Sequence, residues 1–209
     1  MKKVLSLILV ALLCLTLAFT FAGCGEEAAT SGESNVESTQ EDTKEVVSEK
    51  EKTPAEKLLG RWSYEMTAEE AGFTVETFFP EAQGITDKVE SKFVMILEFA
   101  SATGNCNRLA DRNALKKICD ELITIIDNNT DKLGADANYI ATVKKNLSDV
   151  NALAKAMDST AKFTADDTKV TAIDESGVED VMNYTITGEG TDLTLTLTSA
   201  DGEKLVLTR

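Results

Sequence analysis

The run Asp192-Leu193-Thr194-Leu195-Thr196-Leu197-Thr198 constrains the fold more than any other stretch of this chain. Leucine and threonine alternate strictly, so in a strand every Leu falls on one face and every Thr on the other. On a helix the same period would scatter the leucines around the axis. The stretch is therefore a half-buried strand, and a strand with one wet face belongs to an antiparallel sheet. Its neighbours read the same way. Met182, Tyr184 and Ile186 alternate before it, with Gly188-Glu189-Gly190 as the turn between. Asp201-Gly202 makes a tight turn after it, and Leu205 and Leu207 lie in a closing strand. Further upstream, Ala165-Asp166-Asp167-Thr168 turns the chain between two short strands in AKFTADDTKVTAI.

The other end of the chain supplies more of the sheet. In PAEKLLG, residues 54–60, Pro at the start and Gly at the end fit a short helical turn. Trp62, Tyr64 and Met66 then alternate with polar residues in a strand. Residues 67–91 read as a short helix or loop packed over one end of the sheet. Phe73, Val75, Phe78 and Phe79 are its apolar residues, and Pro80 breaks the run. In KFVMILEF, residues 92–99, Phe93, Met95, Leu97 and Phe99 would face one way and Val94 and Ile96 the other. A helix fits the apolar spacing too, but the short length and the aromatic and β-branched content favour a strand. SATGNC after it offers a turn and a short return strand.

Between these two groups the period changes. Leu115, Ile118, Cys119, Leu122, Ile123 and Ile126 line one face of a helix over roughly 109–128. Asn128-Asn129 and Gly134 mark its end and a link. Ile140, Val143, Leu147, Val150, Ala154 and Met157 predict a second helix over about 136–158. Two helices with a short link predict an antiparallel helical hairpin, inserted at about 108–158. Each stripe is expected to pack on the other and on the sheet. The fold class is mainly β with an α insertion, with about seven or eight antiparallel strands closed into a barrel or half-barrel, because open strand edges invite aggregation.

The chain opens MKKVLSLILVALLCLTLAFTFAGCGEE. Lys2 and Lys3 precede an uncharged apolar run from Val4 to Ala22. Small residues, Ala22 and Gly23, stand directly before Cys24, and no Lys or Arg follows to hold a spanning helix in place. This predicts a signal peptide over 1–23. Residues 24–53 are rich in Ser, Thr, Glu and Lys without an aromatic, so they read as a disordered acidic tether to a domain at 54–209.

The formal charge is −15. Such a surface repels nucleic acid, and no nucleic-acid partner is expected. There is no His at all. That excludes Ser-His-Asp and Cys-His catalysis and His-based zinc sites. Neither a metal nor another cofactor is expected. Asp111, Asp120 and Glu121 cluster near the first helix, and Asp166-Asp167 sits on a turn, but carboxylate clusters arise easily in so acidic a chain. DNNTDKLGADAN, residues 127–138, lacks the ligand spacing of a Ca²⁺ loop. No nucleophile elbow or phosphate loop is present, so an enzyme is not expected. Cys106 and Cys119 either pair or remain free. On one helix they would stand about 20 Å apart, so pairing requires Cys106 to lie off the helix.

Phe21-Ala22-Gly23-Cys24 resembles the bacterial lipobox. The resemblance implies lipid on the thiol of Cys24 after cleavage, and anchorage at the extracytoplasmic face of the cell membrane. With the acidic tether, the entry motif Leu59-Gly60-Arg61-Trp62, the strand KFVMILEF, the helical insertion and the ending YTITGEGTDLTLTLTSADGEKLVLTR, the chain resembles small bacterial lipoproteins with a lipocalin-like domain. That resemblance implies a lipocalin-like barrel in which Trp62 packs across one end, and it implies no catalytic residues. The expected function is a non-catalytic ligand-binding module. Trp62, Tyr64, Phe93, Phe99 and Tyr184 are the candidate barrel interior, and either line a pocket for a small apolar ligand or fill it. The alternative is an interaction module that offers its helical hairpin to another envelope protein.

Overall fold

The computed structural model describes residues 52–101 and 103–209. The expected signal peptide, Cys24 and nearly all of the expected tether lie outside the described residues.

The alternating segments become eight strands: β1 (Gly60–Thr67), β2 (Lys92–Phe99), β3 (Thr103–Ala110), β4 (Ser159–Ala165), β5 (Lys169–Ile173), β6 (Glu179–Glu189), β7 (Asp192–Thr198) and β8 (Lys204–Thr208). Each pairs antiparallel with the next, and β8 pairs back onto β1, so the sheet is a closed barrel. Closure leaves no free edge. The seam is thin. β1 is in register with β2 from Gly60↔Phe99 to Thr67↔Lys92, whereas β1 and β8 meet at Ser63↔Thr208.

Local chemistry sets the turns. Asp166 closes the β4–β5 turn by accepting from the backbone N–H groups of Thr168 and Lys169, both at 2.7 Å. The β6–β7 turn falls at Gly190-Thr191, later than the Gly188-Glu189-Gly190 reading, because Gly188 and Glu189 stay paired with Leu193 and Asp192. Gly188 has φ 97°, and a Cβ there would collide with the Asp192 carbonyl oxygen. Only glycine fits that approach.

Outside the barrel the described residues form five α-helices: α1 (Pro54–Leu58), α2 (Val75–Phe78), α3 (Arg112–Asn128), α4 (Ala137–Ser148) and α5 (Val150–Met157). The expected two-helix hairpin is a three-helix insertion. The segment read as one helix over 136–158 breaks at Asp149, whose φ and ψ of −89° and 69° are not helical. Its carboxylate caps α5 by accepting from the Ala152 N–H at 3.0 Å. The apolar stripe survives the break, since Val143, Leu147, Leu153 and Ala154 are all buried. On α3, Ile125 is buried rather than Ile123, which is half-buried. The three helices pack on one another, with α3 also against β2 and α5 against β3.

Two apolar clusters result. One fills the α1 end of the barrel, around Leu58, Trp62, Phe99, Phe163, Tyr184, Leu195 and Leu207. The other joins β2 to the helices, around Phe73, Phe79, Phe93, Met95, Leu115, Leu122 and Leu147. The 67–91 segment belongs to this second cluster. Phe73 stacks on Phe93 with ring centroids 6.0 Å apart, and Phe79 meets Tyr139 edge-on at 5.7 Å.

Candidate functional site

Directly paired residues of an antiparallel sheet share a face, so the register identifies the inner wall of the barrel. Trp62 and Tyr64 point inward from β1. Tyr64 is opposite Met95, Leu97 opposite Arg108, and Arg108 opposite Ser159. The series continues through Phe163↔Ala172, Val170↔Met182, Tyr184↔Leu197 and Leu197↔Leu205.

Burial varies along this wall. Trp62, Phe99, Phe163, Val170, Tyr184, Leu195 and Leu207 are buried, and so are Phe93, Met95 and Ala110 on the side of the helices. Tyr64, Leu97, Arg108, Ala161, Ala172, Met182, Ile186 and Leu205 also point inward and are half-buried. The half-buried positions share rows with buried ones, since Leu97 is opposite Trp62 and Tyr64 is opposite Met95.

The five aromatic candidates divide accordingly. Trp62, Phe99 and Tyr184 come together, but as packing. The Trp62 indole N–H donates to the Leu58 carbonyl at 2.7 Å, the rings of Phe99 and Phe163 meet edge-on at 4.9 Å, and the Tyr184 hydroxyl donates to the Asp166 carbonyl at 2.6 Å. Burial, followed by the nearby Asp167 and Asp166, pushes the Tyr184 phenol above its ordinary value. Tyr64 lies opposite the buried Met95 and touches both clusters. Phe93 lies in the helical cluster, because at the start of β2 it meets the Phe73 ring.

Arg108 carried no signal in the sequence. Asn105, Asn107 and Arg108 gave no apolar alternation, so the inward phase of β3 became visible only through its pairing with β2. Burial lowers the Arg108 pKa, and the neighbouring Cys106 opposes the shift. Among the described residues the guanidinium has no carboxylate partner. Cys106 and Cys119, the candidate pair, are free thiols. They belong to different clusters, Cys106 beside the barrel interior and Cys119 under the helices. Burial pushes them up to about 11 and about 12, with Asp120 adding to the shift at Cys119.

The acidic cluster is occupied structurally. Asp111 caps α3 at the Ala114 N–H, Asp120 pairs with Lys116 at 2.6 Å, and Glu121 accepts from the backbone of Glu90 and Ser91. Asp127 and Asp136 in the 127–138 stretch are likewise held, by Lys144 and by the Tyr139 N–H. No group of three or more metal-ligating residues occurs among the described residues.

Comparison with family models, with curated proteins and with solved structures finds no match to this chain. The site therefore rests on its own geometry. Among the described residues no helix is long and apolar enough to cross a membrane.

A concavity of about 730 Å³ lies outside the barrel between the 67–76 and 85–90 segments and α3. Its floor includes the buried Phe73, Val75, Leu122 and Ile125. Its rim is acidic, with Glu69, Glu76, Asp87 and Glu90 against Lys88, which already pairs with Glu69 at 3.2 Å.

Proposed function

We propose that this chain is a non-catalytic ligand-binding module, held at the extracytoplasmic face of the cell membrane by lipid on Cys24. The observation that supports the reading is the closed barrel itself, several of whose inward positions, Tyr64, Leu97, Arg108, Ala161, Ala172, Met182 and Leu205, are half-buried rather than buried. An eight-stranded barrel has room for one small ligand where its own side chains leave space. These positions are mostly apolar, with one cation and one phenol, a composition suited to an orienting contact on an otherwise apolar guest. The test is native mass spectrometry of the mature chain released gently from membranes. A retained small molecule is the expected result, together with the mass of acyl chains on Cys24. A bare protein mass that stays bare after incubation with membrane lipid extracts would remove the ligand reading.

The groove beside α3 favours a second reading, an interaction module that receives part of another envelope protein. Its volume suits a few side chains of a partner, and its floor is apolar. Replacing Glu76 and Glu90 with Lys inverts the rim charge and would abolish capture of such a partner without changing ligand retention in the barrel.

A further inference from the structure

We infer that the groove beside α3 receives an extended, basic segment of a partner protein, laid along residues 85–89 with its cationic side chains against Glu76, Asp87 and Glu90. The inference rests on the interaction reading above and adds the chemistry of the partner.

The first argument is charge. Four carboxylates line the groove, those of Glu69, Glu76, Asp87 and Glu90, against the ammonium of Lys88. Lys88 is already paired with Glu69 at 3.2 Å. Asp87 accepts from the Asn129 side-chain amide at 3.1 Å, a neutral donor that leaves its charge in place. Lys132 is engaged by the carbonyl end of that same amide, at 3.0 Å. The Glu76 and Glu90 carboxylates make no hydrogen bond and no ion pair among the described residues. Uncompensated carboxylates along one groove raise the local concentration of cations. The same charge argues against an occupant from this chain. Residues 25–51 carry nine acidic residues and two lysines, and a second copy brings 36 acidic residues against 21 basic ones.

The second argument is the backbone. The chain from Phe79 to Ser91 joins α2 to β2 without helix or strand. Long connections of this kind in compact domains are commonly binding segments. Its residues 85–90 line the groove one after another. The N–H and C=O groups of residues 85–89 make no hydrogen bond among the described residues, whereas the N–H groups of Glu90 and Ser91 are both taken by Glu121. A run of free donors and acceptors suits the backbone of another extended segment, which offers its own groups at the same repeat. A small organic cation would answer the carboxylates and leave these groups to water. A basic peptide answers both.

The wall adds a side-chain pattern. Ile85 and Val89 are half-buried and pack against the cluster that holds Phe73, Leu122 and Ile125. Successive side chains of an extended guest point to opposite sides. A guest that alternates apolar and basic residues therefore sets the apolar ones on this wall and lets the basic ones reach the rim. The volume of about 730 Å³ lies within the roughly 300–1,000 Å³ of ordinary binding sites.

The test uses the chain from residue 24 with Cys24→Ser, which keeps every described residue. Four labelled hexapeptides are titrated by fluorescence anisotropy: leucine alternating with lysine, leucine alternating with glutamine, lysine alone, and the leucine–lysine peptide N-methylated at alternate backbone nitrogens. The expected result is that the leucine–lysine peptide binds at least about tenfold more tightly than each of the others, the scale of a few exposed charge pairs or backbone hydrogen bonds acting together. Glu76→Gln with Glu90→Gln should erase most of the margin over the leucine–glutamine peptide. That variant should unfold at the temperature of the parent, since neither carboxylate has a partner to lose. Glu189→Gln with Asp192→Asn removes the same charge where β6 turns into β7, at the end of the barrel away from Thr67, and should leave the margin intact. Equal losses in the two double variants would reduce the attraction to net charge and overturn the inference, as would lysine alone binding as tightly as leucine–lysine. Undiminished binding of the N-methylated peptide would overturn the backbone pairing. Equal binding of the lysine and glutamine peptides would overturn the basic partner and leave the interaction reading standing. Binding of none would overturn the inference, and the interaction reading falls with it if Glu76→Lys with Glu90→Lys also leaves partner capture unchanged.

Discussion

The guanidinium of Arg209 lies over the Trp62 ring, 4.2 Å from its centroid. This contact crosses the seam of the barrel, where β1 and β8 share little register. Arg209 Nη2 also donates to the Leu59 carbonyl, and its backbone N–H donates to Leu193 at 3.0 Å. One residue thus ties β7 to the start of β1, while the Trp62 indole ties β1 to α1 through Leu58. Strand pairing supplies little closure here, so side chains supply it.

The contact predicts unequal costs. Trp62→Ala should lose about 3–5 kcal/mol, because it empties the centre of the barrel cluster. Arg209→Ala should lose about 1 kcal/mol, the scale of an exposed cation–π contact with its carbonyl bonds. Urea unfolding of both single variants and the double variant should return a positive coupling energy. Strict additivity would mean that the stacked pair contributes nothing of its own.

Asp158 predicts a different kind of weakness. Its carboxylate accepts from the Ala110 N–H at 2.9 Å and pairs with Arg112 at 3.4 Å, joining the two ends of the helical insertion across 48 residues of chain. Asp158→Ala should cost about 1–3 kcal/mol, since it leaves a partly buried N–H without its acceptor. Hydrogen exchange should speed up in α3 and α5 before it does in β6 and β7. Uniform acceleration across the whole domain would contradict the placement of the staple.

These ties also mark what could be read from residue order. Leu193 to Thr198 revealed a strand because a period of two needs nothing beyond neighbours. The helical stripe from Ile140 to Met157 was legible, but its break was not. Asp149 stops α4 by capping α5, and an Asp inside a stripe is also compatible with a solvated helix face. Phe93 was in phase with Phe99 and was read with it, although packing separates them: Phe99 meets Phe163 in the barrel and Phe93 meets Phe73 outside that cluster. Arg108 was invisible because its inward direction is a property of the pairing with Leu97, eleven residues earlier and across a turn.

The two thiols should be slow to react. With pKa values of about 11 and about 12 against an ordinary 9.0, Cys106 and Cys119 hold at least about a hundredfold less thiolate near pH 8 than a free cysteine does. Iodoacetamide at pH 8 should leave both unmodified in the folded chain, and both should react in urea without a reductant. A requirement for reductant would show that they pair. Rapid native labelling of Cys106 would show that the barrel interior beside it is wetter, and its thiol less desolvated, than the structure implies.

Glu121 predicts an acid-sensitive anchor for the loop before β2. Burial raises its pKa, but hydrogen bonds from the Ser91 hydroxyl and from the N–H groups of Ser91 and Glu90 outweigh that, so the net value lies below the ordinary 4.5. The native state therefore binds this proton less readily than the unfolded chain. Its contribution is complete above the ordinary carboxyl value and is lost as pH falls through the lowered one. The group is largely solvated, so the effect is small. Thermal unfolding should show the parent losing more stability than Glu121→Gln between about pH 6 and about pH 3, with the two curves converging at the acid end. Because the loop it anchors leads into Phe93, the same acidification should expose the Phe73–Phe93 stack first, as a change in near-UV aromatic signal ahead of global unfolding. Parallel pH profiles for the two proteins would assign the acid sensitivity elsewhere.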